Sequence, residues 1–270
     1  MTRLLIAGYG FLGVALKEEF AAAGWEVTTL GRSQEADICC DLTSHEQVMA
    51  IPGDYDLVIQ CAASGGGGEE AYRAIYLNAS QNLLGRFSGV GFIFVSSTSV
   101  YAQTDHAEVS EGSPAEPTTA TGKILRQAEV NVLGMGGSVA RLSGLYGPGR
   151  CHILKGLLKG TARLDDDGRR VMNFIHRDDA ASALRLMAEA PVNGGIYNIS
   201  AGAESQRECY QSLADHFALP LPASATSDAP RKRGNSSKRV SSSLIRNLGW
   251  QPKYPDFLSL ARACAEEVGE

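Results

Sequence analysis

The stretch "RLLIAGYGFLGVAL", Arg3 to Leu16, constrains the fold more than any other part of the chain, because it sets glycines at 8, 10 and 13 between an apolar run and a helix-like one. Inside a helix each of those glycines would cost about 1 kcal/mol relative to alanine. In a tight strand-to-helix turn they are useful. Leu4, Leu5 and Ile6 read as a short buried strand, Gly8 permits the turn, Gly10 lets backbone approach a pyrophosphate, and Gly13 lets the next helix lie close on the strand. That helix, "FLGVALKEEFAAAG", stops at Gly24, and its first residues, Phe11 and Leu12, turn their N–H groups toward the anion. Arg3 and the apolar residues behind it imitate a secretory leader, but the glycines argue against one.

Downstream, "WEVTTL" (Trp25 to Leu30) alternates like a strand, while "DLVIQCAA" (Asp56 to Ala63) and "GFIFVSS" (Gly91 to Ser97) are apolar runs of the kind found in parallel strands covered on both faces. "EEAYRAIYLNASQNLLGRF" reads as a helix, "GGSVARLSGLYG" (Gly136 to Gly147) as one more strand, "VMNFIHRDDAASALRLM" as strand, turn and helix capped by Asp178 or Asp179, and "GIYNIS" as a last strand. This alternation predicts an α/β fold with a doubly wound parallel sheet, a Rossmann domain with a small C-terminal substrate lobe. The expected division is 1–150 for dinucleotide binding, with 171–199 returning to it, and 151–170 with 200–270 as the substrate lobe. Ligands of such sheets sit at the carboxyl ends of the strands.

Composition narrows the partners. A chain of 270 residues can bury one core with a small appended lobe, and no apolar run approaches the roughly 18 residues of a membrane span. Its net charge of -5 argues against a broad nucleic-acid surface, leaving a small-molecule substrate as the expected partner and a homodimer as an open alternative. Cysteines 39, 40, 61, 151, 209 and 264 show no metal spacing. They read as reduced thiols of a cytoplasmic protein, with Cys39 and Cys40 as buried strand residues.

"GYGFLG", "CAA" (Cys61 to Ala63), "SSTSVY" (Ser96 to Tyr101), "RLSGLYGPGR" and "NFIHRDDAA" occur in an order and spacing that resembles the extended and atypical short-chain dehydrogenases/reductases, the NAD(P)-dependent epimerase/dehydratase group. The resemblance runs on to the C-terminal "RNLGWQPKYP". It implies an oxidoreductase or epimerase/dehydratase acting on a hydroxyl or carbonyl of a small, sugar-like substrate. It further implies that Asp41 and Leu42 approach the adenine, that Cys61, Ala62, Ala63 and Ser96 line the cofactor, and that Ser97 orients the reacting oxygen. The group's catalytic pair is Tyr and Lys spaced Y-x-x-x-K. Here the matching segment, "SPAEPTTATGKILRQAE", places Thr121 at the Tyr position and Leu125 at the Lys, or Thr119 at the Tyr if aligned on Lys123. Neither register has a phenol, and a threonine hydroxyl does not serve as a base near neutral pH. Catalysis would then need a non-standard acid/base, and the candidate catalytic residues are Ser97 as anchor, Thr121 at the aligned Tyr position and His176 as acid/base. A nucleotide-binding sensor or scaffold without catalysis is the alternative.

Some residues admit two readings. Arg32 and Ser33 stand just past Gly31, where an NAD enzyme carries an acidic residue for the ribose; they suit a 2'-phosphate and favour NADP over NAD. His176 is either an acid/base or a structural histidine tethered to the aspartates beside it. Tyr101 and Tyr146 read as packing or anchoring groups. Gly65 to Gly68 admits a ligand or is a plain loop. The basic run Arg231, Lys232, Arg233, Lys238 and Arg239 grips an anion or is a solvated face.

Overall fold

The computed structural model describes residues 1–190, 194–225 and 236–266. Its principal strands are β1 (Arg3–Ala7), β2 (Glu26–Gly31), β3 (Ile38–Cys39), β4 (Leu57–Gln60), β5 (Gly91–Ser97), β6 (Ser138–Leu142), β7 (Gly144–Tyr146), β8 (Val171–His176), β9 (Ile196–Ile199) and β10 (Gly202–Ser205). The helices that position the site are α1 (Phe11–Ala22), α2 (Ala120–Gly134), α3 (His152–Leu158), α4 (Arg177–Glu189), α5 (Gln206–Phe217) and α6 (Phe257–Glu266). Seven strands form one parallel sheet in the order β9-β6-β5-β4-β1-β2-β3, the doubly wound Rossmann arrangement.

Strand periodicity distributes the sheet's side chains between two cores. Leu4 and Ile6 of β1 face one core with Leu12, Leu16 and Phe20 of α1 and Ala180 and Leu184 of α4. Leu5 and Ala7 face the other, with Ile124, Leu125, Ala128 and Val132 of α2. Successive residues of a strand point to opposite faces, so an unbroken apolar run is what a sheet covered on both sides requires.

The stretch read as one strand from Gly136 to Gly147 is two. The chain leaves the main sheet at Ser143, whose N–H still bonds Ile199 O at 3.1 Å, and β7 enters a second, three-stranded sheet of order β10-β8-β7. Gly144 allows the crossing, since a Cβ there would lie 2.9 Å from Asn173 O. Of the 171–199 stretch, β9 joins the main sheet and α4 packs on α1, tied by Arg185 Nε to Glu19 at 2.7 Å, while β8 pairs in the second sheet. The helix after "CAA" is interrupted by a π-turn over Arg73–Asn78. Cys39, expected to be buried, is exposed on the edge strand β3, whereas Cys40 is buried. Among the described residues no helix is long and apolar enough to cross a membrane.

Candidate functional site

Each glycine of the first loop has its own cause. Gly8 has φ +125° and a Cβ there would strike the backbone of Ala62, so only glycine lets β1 end against the "CAA" segment. A Cβ at Gly13 would strike Gly8 O, which fixes how closely α1 lies on the turn. Cys61 reinforces this closure by donating its thiol to Gly8 O at 3.2 Å, and burial pushes that thiol up to about 12. Gly10 differs, because nothing lies within 4 Å of an added Cβ. It is the N-cap of α1, and no side chain caps the helix there. An open, uncapped helix N-terminus offers N–H groups and a positive dipole end to an anion. Two cations that sequence reading left without a role flank it: Arg150 and Arg177 lie over the Phe11 ring, 5.1 and 5.4 Å from its centroid. Arg150 ends "YGPGR" and Arg177 lies in "HRDD", and only the fold brings these two motifs to the same ring.

At the far end of β2, Arg32 and Ser33 are exposed, and the Ser33 hydroxyl accepts the Glu35 N–H at 3.1 Å. Asp41 accepts from the Thr43 N–H and hydroxyl, at 3.0 and 2.8 Å, which holds its carboxyl below the usual range; the charge of Arg32 adds to this. Leu42 is buried beneath. Gly31 has little spare room, since a Cβ would lie 3.3 Å from both Tyr9 Cβ and Ala36 Cβ. The glycines at 65 and 66 have nothing within 4 Å of an added Cβ.

The end of β5 carries two serines with different surroundings. Ser96 turns inward and donates to Glu129 Oε1 at 2.6 Å, so its hydroxyl is engaged in the interior. Ser97 is half-buried and accepts the Ser99 N–H at 3.1 Å. Behind them Arg141 binds Glu129 through Nε at 2.9 Å and through a terminal nitrogen at 2.6 Å, and donates to the Tyr101 hydroxyl at 2.8 Å. Tyr101 in turn donates toward Asn198 Oδ1 and Ser110 O, at 2.9 and 3.0 Å, and burial pushes its phenol up against the pull of Arg141. This phenol is an anchor with its hydrogen-bonding capacity spent.

On α2, Thr119 is the N-cap and accepts the Gly122 N–H at 3.2 Å, while Thr121 is half-buried one turn before Leu125, which lies in the core. Of the basic run, Arg231, Lys232 and Arg233 lie outside the described residues. Lys238 is not part of a solvated face: its ammonium is buried, donates to Tyr101 O at 2.8 Å and Ser236 Oγ at 3.1 Å, and is pushed down to about 8 by burial. Arg239 is exposed and donates to Ala203 O at 3.0 Å.

His176 closes β8 and is itself the cap of α4, accepting the Asp178 N–H at Nδ1, 3.3 Å away. The expected caps do other work: the Asp179 carboxylate accepts Lys253 and Tyr254 N–H groups at 2.7 and 3.0 Å. Burial holds the His176 ring below the usual histidine range, against the Asp178 carboxylate 3.5 Å away and with help from Arg177 and Lys253. A neutral ring accepting at Nδ1 carries its proton on Nε2. The ring lies on Tyr254, 4.5 Å between centroids. Because the unfolded chain binds this proton near pH 6.5 and the folded chain only at lower pH, the stability involved is intact above about pH 6.5 and is lost as pH falls toward the folded value. His176→Asn keeps a capping acceptor and removes the titration. In urea denaturation at about pH 7.5 and 5.5, wild type should lose more stability than this variant on acidification; equal losses would contradict the assignment.

A family model described as the NAD dependent epimerase/dehydratase family matches residues 4–200. The chain belongs to that family. Over 96% of its length it is 31% identical to Protein YeeZ of Escherichia coli strain K12, covering 98% of that protein. Among solved structures it is similar to MoeE5 in complex with UDP-glucose and NAD, with TM-score 0.85, 22% identity and 99% and 98% of the two chains covered. It is also similar to the UDP-glucose 4-epimerase of Thermotoga maritima with UDP-glucose, at TM-score 0.84, 18% identity and 99% of each chain. Membership of the epimerase/dehydratase family and the Rossmann sheet agree with the resemblance carried by the five motifs.

Proposed function

We propose that this family member binds a nicotinamide dinucleotide across the carboxyl ends of β1, β2, β4 and β5 and acts as an oxidoreductase of the epimerase/dehydratase kind on a small, sugar-like substrate. The observation that carries this reading is the open, uncapped N-terminus of α1 at Gly10, flanked by Arg150 and Arg177. Backbone at Gly10, Phe11 and Leu12 would hold the pyrophosphate, Asp41 and Leu42 the adenine, and Cys61, Ala62 and Ala63 the wall of the cleft, while Ser96, turned inward to Glu129, would only support Ser97 beside it. When bound, the nicotinamide supplies the carbon that gives or takes a hydride. The nucleotide sugars named with MoeE5 and the Thermotoga epimerase support a sugar-like substrate.

We favour NADP over NAD because Arg32 is exposed where a 2'-phosphate would lie, with the Ser33 hydroxyl beside it. Arg32→Ala should weaken NADP binding by roughly 1.5–3 kcal/mol, the worth of a charge-assisted hydrogen bond, and leave NAD nearly unchanged. Calorimetric titration with both cofactors measures the difference; equal losses would refute the preference.

For the chemistry, Ser97 holds the reacting oxygen. Neither Thr119, engaged as a cap, nor Thr121 offers a base, and the Tyr101 phenol is already engaged. His176 acts by capping the helix that begins with Arg177, so the proton passes through a substrate group or water. Ser97→Ala should lower turnover roughly 10 to 1,000-fold, in the range of one positioned donor, while Thr121→Val costs little. Steady-state kinetics on a panel of hydroxy and keto compounds, with cofactor affinity as the folding check, tests this. A large loss from Thr121→Val with Ser97→Ala unaffected would overturn it. The core position of Leu125, where the family's ammonium would stand, favours a second reading, a nucleotide-binding sensor. Retained cofactor affinity with no turnover on that panel would select it.

A further inference from the structure

Three elements of the C-terminal half bring a cysteine each to one place. Cys151 directly precedes α3, Cys209 lies in α5 and Cys264 lies in α6. Cys264 hydrogen-bonds to Cys151, and Cys209 is close enough for the charges of the two to interact. Cys151 and Cys264 also line a cavity of about 220 Å³, walled chiefly by Leu154 and Leu158 with Arg150 and Lys155 beside them. At 3% and 1% exposure the two residues are shut off from bulky reagents, while the cavity admits a small one.

Thiols buried only as packing groups are inert, and three others here behave that way: burial pushes Cys40, Cys61 and Cys209 up. Cys151 goes the other way. The Cys264 hydrogen bond, the Leu154 backbone N–H and the charge of Lys155 together hold its thiol below the ordinary range despite burial. Lys155 is fixed beside it by donating to Gly149 O at 2.6 Å.

We propose that Cys151 and Cys264 form an oxidation site, in which a hydroperoxide entering the cavity converts the thiol pair to a disulfide. The Cys151 thiolate attacks the peroxide, the O–O bond breaks, and Cys151 becomes a sulfenic acid while the departing oxygen leaves as water or alcohol after taking up a proton. The Cys264 sulfur then displaces the sulfenic oxygen as a second water. Two thiols lose two electrons and two protons in all, and the peroxide is reduced by two electrons. The bond joins α6 to the Gly147–Cys151 turn, which carries Arg150 to the Phe11 ring.

The test is peptide mapping of the full chain after hydrogen peroxide, with free thiols blocked by N-ethylmaleimide in denaturant and trypsin digestion without reduction. The expected product joins the peptide 151–155 to the peptide running from 263 to the end of the chain, and it separates on reduction. In Cys264→Ala the reaction should stop at Cys151, raising dimedone-trapped sulfenic acid at that residue about tenfold or more over wild type. Oxidation at exposed Cys39 with Cys151 and Cys264 both blocked by maleimide would overturn the proposal, and so would a bridge from Cys151 to Cys209. If Cys264→Ala does not fold, the wild-type map decides alone.

Discussion

Replacing Glu129 by alanine is expected to lower the stability of the chain by about 3–5 kcal/mol, the range found when one member of a buried ion pair is removed. The cause is the guanidinium left behind. Arg141 is 1% exposed, and its Nε and one terminal nitrogen are committed to Glu129, so the variant retains a buried cation with the Tyr101 hydroxyl as its remaining named partner. The Ser96 hydroxyl loses its acceptor as well. Replacing both Glu129 and Arg141 by apolar residues of similar volume should recover part of the loss, because no charge is stranded; Tyr101 keeps Asn198 and Ser110 as acceptors, while Ser96 still loses Glu129. Urea denaturation of the two single variants and the double variant measures this. A double variant as unstable as Glu129→Ala would show that shape, and not charge, is what the pair provides. The network reaches the site through sequence adjacency, since Ser96 anchors the residue next to Ser97.

The sheet was largely legible because a strand buried on both faces must be continuously apolar, and β1, β4 and β5 are such runs. "GFIFVSS" matches β5 from Gly91 to Ser97 without adjustment. The split at Ser143 was hidden, since β6 and β7 follow one another with only Ser143 between them and only the partner of each strand shows that the chain has changed sheets. Local rules misplaced the α4 cap for a similar reason. Aspartates favour helix starts, but the backbone N–H groups of Lys253 and Tyr254 claim Asp179, and His176 at the strand's end takes the role. Arg150 and Arg177 went unassigned because their meeting over Phe11 depends on three segments far apart in sequence. Lys238 read as part of an anion grip or of a solvated face, since those are the usual uses of a basic run; its ammonium instead donates to a carbonyl and a hydroxyl 2.8 and 3.1 Å away.

Gly10→Val should abolish dinucleotide binding while leaving the fold in place. Gly10 has φ -124° and ψ -151°, an extended conformation that valine adopts readily, and an added Cβ meets no atom within 4 Å. The branched side chain would instead fill the space in front of α1, where backbone N–H groups meet the pyrophosphate. Losing two charge-assisted hydrogen bonds at roughly 1.5–3 kcal/mol each corresponds to a decrease in affinity of more than about 100-fold. The same substitution at Gly8 or Gly13 would not separate binding from folding, since a Cβ at either position strikes backbone.

Nucleotide binding at the α1 N-terminus is tested most directly by calorimetric titration of wild type and Gly10→Val with NADPH and NADH, paired with thermal unfolding of both proteins. We expect wild type to bind one equivalent of cofactor per chain, and Gly10→Val to show no binding heat at an unfolding temperature close to that of wild type. Wild type that binds neither cofactor, or a folded Gly10→Val that binds as tightly as wild type, would contradict the assignment of the α1 N-terminus as a nucleotide site.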